Sequence, residues 1–229
     1  MVWTVQDNYL GFPRIVDTPS TTVPQFPLGT TVRGVDNYWG GGEFILLKAN
    51  GTISNGNLVV WDLSNFATAC PNTANMAQPV CTALNAFSSG QYGWFQISGR
   101  AYISTTASVA AGTAFGITGA GTVGASSAGK EIENAVSVAP GTTTVVKTNV
   151  STVNGSPVIT VPGGADGWFP GVTMTGTGIS GTIVSIAPDN RTVTLSANAS
   201  ATGIISATAT YTNFIIAAID RPFAQGRIT

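Results

Sequence analysis

Strict alternation of apolar and polar positions is clearest near the C-terminal third. Thr182-Ile-Val-Ser-Ile-Ala187 and Arg191-Thr-Val-Thr-Leu-Ser196 flank the turn Pro188-Asp189-Asn190. In the second run Val193 and Leu195 point one way and Thr192, Thr194 and Ser196 the other, which predicts a hairpin with one buried face. Earlier, Glu43-Phe-Ile-Leu-Leu-Lys48 is a short apolar run closed by the turn pair Asn50-Gly51, and Asn55-Gly56 precedes Leu58-Val-Val-Trp-Asp62. Both read as buried strands bounded by turns. Gly93-Trp-Phe-Gln-Ile-Ser98 and Arg100-Ala-Tyr-Ile-Ser104 flank Gly99 and predict a kinked or bulged pair. Ala114 to Ile117, Ala135 to Val138 and Phe214 to Ile219 complete the strand set. Between them, Val80 to Phe87 is read as a short helical piece and Gly119 to Gly129 as a loop of small residues.

Residues 1 to about 28 break this pattern. Pro13, Pro19, Pro24 and Pro27 recur every few positions, and proline neither donates to a ladder nor leaves its φ free. An extended N-terminal arm is expected, carrying Trp3, Tyr9, Phe12 and Phe26. Those rings need cover, either on the arm's own body or on a neighbouring subunit. A second break falls at about residues 145–211, a stretch of Thr, Val, Ser, Gly and Ile whose charged residues are Lys147, Asp166, Asp189 and Arg191. The expected fold is all-β, sandwich- or barrel-like, with little helix. Its parts are an arm over 1–28, a β-domain over 29–144, an inserted small β-module over 145–211, and a closing strand over 212–229.

Composition narrows the function. Of 229 residues only 8% are charged, against about 25% in an ordinary domain, and the formal net charge is -1. Nine dispersed Lys and Arg give no basic footprint for nucleic acid. His is absent, which removes imidazole triads and His-ligated metals. Gly176-Thr-Gly-Ile-Ser-Gly181 has the Gly-x-Gly-x-x-Gly spacing but precedes a strand, not a helix, so it is not a phosphate cradle. Glycosidase chemistry needs two facing carboxylates; a pair such as Asp36 and Asp62 is conceivable, but nothing selects it. Glu131 and Glu133 read as a solvated edge, and Asp166 and Asp189 as turn residues. Trp39, Trp94 and Trp168 stand beside Gly and could stack on sugars or anchor a core. Neither catalytic residues, cofactor nor metal is expected.

The N-terminus lacks the basic start and apolar run of a signal peptide, and no apolar stretch approaches a membrane span. Synthesis in the cytoplasm is therefore expected, with no membrane partner. Cys70 and Cys81 bracket a ten-residue loop. They read either as a possible disulfide, formed on reaching an oxidising medium, or as two reduced, half-buried thiols.

Two stretches carry a resemblance. One is Phe26-Pro-Leu-Gly-Thr-Thr-Val-Arg-Gly-Val-Asp36 with Tyr38-Trp-Gly-Gly-Gly-Glu-Phe-Ile-Leu-Leu-Lys48, Gly56 and Leu58-Val-Val-Trp-Asp62. The other is Gln91-Tyr-Gly-Trp-Phe-Gln-Ile-Ser-Gly-Arg-Ala101 with Ala107-Ser-Val-Ala-Ala-Gly112. Together they resemble the decoration, or cement, proteins of tailed-bacteriophage capsids, over residues 26–138 and the last strand. The inserted segment, through Val172-Thr-Met-Thr-Gly-Thr-Gly-Ile179 and Thr192-Val-Thr-Leu-Ser-Ala197, is similar to small β-modules of phage virion and tail-fibre proteins. The resemblance implies a non-enzymatic virion structural protein on the outer capsid surface, partnered by the major capsid protein and by itself as a homotrimer. Arm residues Trp3, Tyr9, Phe12 and Phe26 would then be contact anchors. A tail-fibre or receptor-binding component is the alternative.

Overall fold

In a computed structural model, residues 4–5, 19–24, 26–36, 39–139, 144–187 and 189–226 are described. Among these residues every regular element is a strand, so the chain is all-β. It divides into two compact units, one built on Thr142–Thr212 and a larger one built on Trp39–Gly141 with Trp3–Val35 and Asn213–Thr229.

The larger unit runs β1 (Thr4–Val5), β2 (Thr31–Asp36), β3 (Gly40–Ala49), β4 (Leu58–Trp61), β5 (Phe66–Ala69), β6 (Gln78–Ala83), β7 (Tyr92–Ser104), β8 (Phe115–Gly119), β9 (Thr122–Ala125) and β10 (Ile132–Ala139). After the inserted unit, the chain returns through its final strand, Phe214–Ala224. The pairings β3–β5, β5–β4, β4–β6, β6–β7 and β7–β3 return to their start, so five strands close into a small barrel. Alternation along these strands sorts side chains between two cores. Ile45, Leu47, Val59, Cys81, Phe95 and Ile97 form one, with Phe87 stacked on Phe95 at 4.6 Å between centroids. Leu58, Val60, Cys70, Ala101 and Ile103 face the other way, where Phe115, Ile117, Val123, Ile132 and the final strand cover them.

Strands with two buried faces lose the period-2 signal that sequence patterning depends on. That explains the first correction. Residues 80–87 are not helical, because Val80 joins one core while Cys81 and Ala83 join the other, as part of β6. The second correction is β9, which pairs with β8 inside the expected small-residue loop. Here glycine reflects crowding: a Cβ on Gly124 would stand 2.7 Å from Thr118 Cγ2, and one on Gly116 would stand 2.8 Å from the Lys130 carbonyl oxygen.

The inserted unit comprises β11 (Thr144–Thr152), β12 (Val158–Thr160), β13 (Thr173–Gly176), β14 (Ile183–Ile186), β15 (Thr192–Leu195) and β16 (Gly203–Thr210), which leads on to the final strand, β17. The strand order is β13-β16-β11-β12-β15-β14. A bridge between Thr173 and Thr182 joins the two ends, with Met174 N–H donating to Gly181 and Ile183 N–H to Val172. The sheet thus wraps into a second small barrel. Val150, Ile159, Met174, Val193, Leu195 and Ala207 are buried, as are Trp168, Phe169 and Tyr211 from the connecting segments. Trp168 Nε1 donates to the Val145 carbonyl at 3.2 Å, the Tyr211 hydroxyl donates to Gly167, and Phe169 stacks on Tyr211. The predicted β14–β15 hairpin is present, with Val193 and Leu195 buried as the alternation requires.

Candidate functional site

The two motif-bearing stretches meet as β3 and β7, paired antiparallel from Gly42↔Gly99 to Lys48↔Tyr92 with a register shift between Glu43 and Phe44. The expected kink at Gly99 lies within one continuous strand. Gly99 has φ +98°, and a Cβ there would fall 2.4 Å from the Gly41 carbonyl oxygen and 2.9 Å from Gly42 Cα. Only glycine fits both that conformation and that approach. The glycines of the two motifs are therefore in direct contact, although more than fifty residues of chain separate them. Past Gly99 the strand leaves β3 and continues against β17 from Ser98 to Ser104.

Few charges lie around this seam, and Glu43 and Lys48 on β3 have partners. The half-buried Glu43 carboxylate accepts from Arg33 Nε at 3.3 Å and from Arg221 Nη2 at 2.9 Å, both guanidinium groups being exposed. Lys48 Nζ lies 5.2 Å from the Tyr92 ring centroid and 5.8 Å from that of Phe66, within cation–π range. A cavity of about 240 Å³ is lined by Ile45, Trp61, Pro79, Ile97 and Pro222.

Of the expected arm anchors, Trp3, Tyr9 and Phe12 lie outside the described residues. Phe26 is half-buried beside the Pro27–Gly29 turn, where Gly29 N–H donates to Leu46. Where the arm is described it pairs with its own larger unit. Thr4 and Val5 stand opposite Val35 and Gly34, Ser20 exchanges both backbone hydrogen bonds with Tyr92, and Gln91 Nε2 donates to Pro19.

Cys70 and Cys81 are free and buried, and strand order shows why they do not bridge. Cys70 N–H donates to Leu58 on one flank of β4, while Cys81 stands opposite Val59 on the other flank. Two strand spacings, about 9–10 Å, exceed the ~7 Å Cα limit for a disulfide. The side chains also enter different cores. Burial pushes the Cys70 thiol up to about 12; for Cys81, burial and then the neighbouring Cys70 both act upward.

The three tryptophans considered as sugar platforms are buried: Trp39 at 7%, Trp94 at 3% and Trp168 at 0% exposure. Asp62 Oδ1 accepts from Ser64 and Phe66 N–H, a turn cap, and Asp36 is buried. Asp189 caps its own turn as expected, accepting from Arg191 N–H, Thr192 N–H and the Thr192 hydroxyl. These bonds hold its carboxyl below the usual range. Asp166 differs from the expected self-capping role, since it receives the Asn190 amide from 24 residues away at 2.5 Å. Sequence spacing gave no sign of that pair. Among the described residues no group of three or more Cys, Asp or Glu is arranged to hold a metal.

No protein-family model, no curated protein and no solved structure matches this chain.

Proposed function

We propose that the protein is a decoration protein of a tailed-phage capsid, binding the outer shell and bridging major capsid subunits without catalysing a reaction. The supporting observation is the contact of Gly99 with Gly41 and Gly42. It brings the two resembling stretches together in one structural seam. A cement protein adds contact area that must be broken before a pressurised shell opens. Its requirements are a rigid core and a surface poor in desolvation-costly charge, and 8% charged residues suits the second. Association as a homotrimer would let each protomer grip a different capsid subunit and multiply weak contacts through avidity. Arm residues Trp3, Tyr9, Phe12 and Phe26 are proposed as anchors, since buried aromatics carry a large share of interface energy.

The test is co-sedimentation with expanded, undecorated capsids of the cognate phage, read at saturation. We expect a fixed stoichiometry near one copy per major capsid subunit, and weaker binding after removal of residues 1–25. Failure of the folded, full-length protein to bind would overturn the reading in favour of a tail or receptor-binding role.

A further inference from the structure

Glycine follows asparagine at three places, Asn50-Gly51, Asn55-Gly56 and Asn154-Gly155. Asparagine is among the thermolabile residues, and a following glycine sharpens this, because its amide nitrogen has no neighbouring Cβ to shield it. Reaction requires that nitrogen free to lose its proton and the asparagine Cγ free to swing onto it. An amide locked in a backbone hydrogen bond reacts only when that bond opens.

The fold treats the three pairs differently. Gly56 is buried and its N–H donates to the Ala83 carbonyl at 2.8 Å, while Asn55 Oδ1 accepts from the Tyr102 hydroxyl at 2.6 Å. Asn154 is exposed, but the Gly155 N–H donates to the Ala199 carbonyl at 2.8 Å. At the remaining pair, neither the Gly51 N–H nor the Asn50 side chain makes a hydrogen bond among the described residues. Asn50 is exposed, and beyond the chain neighbours of Gly51 no heavy atom lies within 4 Å of where a Cβ would stand. The flank is nevertheless fixed. Asn50 N–H donates to Ala67, and Ala49 donates to Gln91 and accepts from Gly90.

We propose that Asn50 is a site of spontaneous deamidation in the native protein. The Gly51 nitrogen loses its proton and bonds to Asn50 Cγ, closing a five-membered imide, while Nδ2 takes up a proton and leaves as ammonia. Water then opens the ring. Attack at Cγ breaks the new bond and gives aspartate. Attack at the Asn50 backbone carbonyl breaks the original peptide bond and gives isoaspartate, joined through its side chain. Either product adds a negative charge to a chain whose formal net charge is -1. Isoaspartate also lengthens the main chain by one carbon where the end of β3 bonds to β5. The modification is read in the free protein, so its failure and that of the capsid reading are distinguishable.

The experiment incubates the native full chain at pH 8.5 and 37 °C in water enriched in 18O, with a parallel sample unfolded in urea. Pepsin digestion in acid and fragmentation mass spectrometry then assign each asparagine. In the native chain Asn50 should convert about 10-fold or more faster than Asn55 and Asn154, whose glycine amides must first be released. It should take up 18O, yield both aspartate and isoaspartate, and react more slowly at pH 7, because the nitrogen must lose its proton. In urea the three pairs should convert at comparable rates. Equal native rates at the three pairs, an Asn50 that reacts in urea alone, or the same preference for Asn50 in urea would each overturn the proposal.

Discussion

At Gly99 a single hydrogen in place of a side chain holds two strands in register. The Cβ of any other residue would collide with the backbone of Gly41 and Gly42, which cannot swing aside as a side-chain tip can. Gly40, with φ +84°, has nothing within 4 Å of its Cβ position. Gly99→Ala should therefore destabilise the protein by roughly 3 kcal/mol or more, combining clash with backbone strain. Gly40→Ala should cost only about 1 kcal/mol, from φ alone. Urea unfolding of the two variants checks this, and equal midpoints would show that the seam does not depend on the close approach. The repeated glycines of the motifs are visible in the sequence, but their mutual contact is not. A glycine kept for its φ and one kept for a neighbour's backbone look identical along the chain.

Among the elements, β4 and β6 show why partial legibility is the rule. Their turns, Asn55-Gly56 above all, are plain in the sequence, because turn residues act locally. Their faces are not, since both sides are buried and apolar residues fill successive positions. This also settles the thiols: β4 stands between Cys70 and Cys81 and sends them to opposite cores. Their thiolates are penalised by burial, so the folded state holds their protons to higher pH than the unfolded chain, whose ordinary value is 9.0. The unfolded state then binds fewer protons, and folding stability falls as pH rises above 9 toward 12. The slope is about 1.4 kcal/mol per pH unit for each thiol. Tyr102 adds to the loss above pH 10, because burial raises its hydroxyl despite the opposing hydrogen bond to Asn55. Urea midpoints should be constant from pH 7 to 8.5 and drop steeply by pH 10.5. In the native protein neither thiol should react with a soluble disulfide reagent at pH 8, and both should react in denaturant. Rapid native reaction would show that these strands open readily.

On the scale of the whole molecule, each unit has its own core. Trp168 is fully buried, and its indole donates to Val145 within the inserted unit. Trp168→Ala should cost that unit about 3–5 kcal/mol. Hydrogen exchange should accelerate across residues 144–211 while β3, β7 and β17 keep their protection. Uniform acceleration in both units would show that the chain unfolds as one cooperative body. A version lacking residues 145–210 should likewise keep the protection of the larger unit.

What the sequence determined by itself is what short-range chemistry controls. Alternation specified the β14–β15 hairpin, Asn-Gly pairs specified turns, and composition marked the inserted segment as a low-charge body of β-branched and hydroxyl side chains. The tertiary structure decided everything that depends on which strands become neighbours. That includes the closure of both barrels, the Gly99–Gly41 contact, the separation of the cysteines and the meeting of Asp166 with Asn190. Strand pairing joins residues by register and not by distance along the chain, and period-2 patterning records which face a residue takes, not which strand lies beside it.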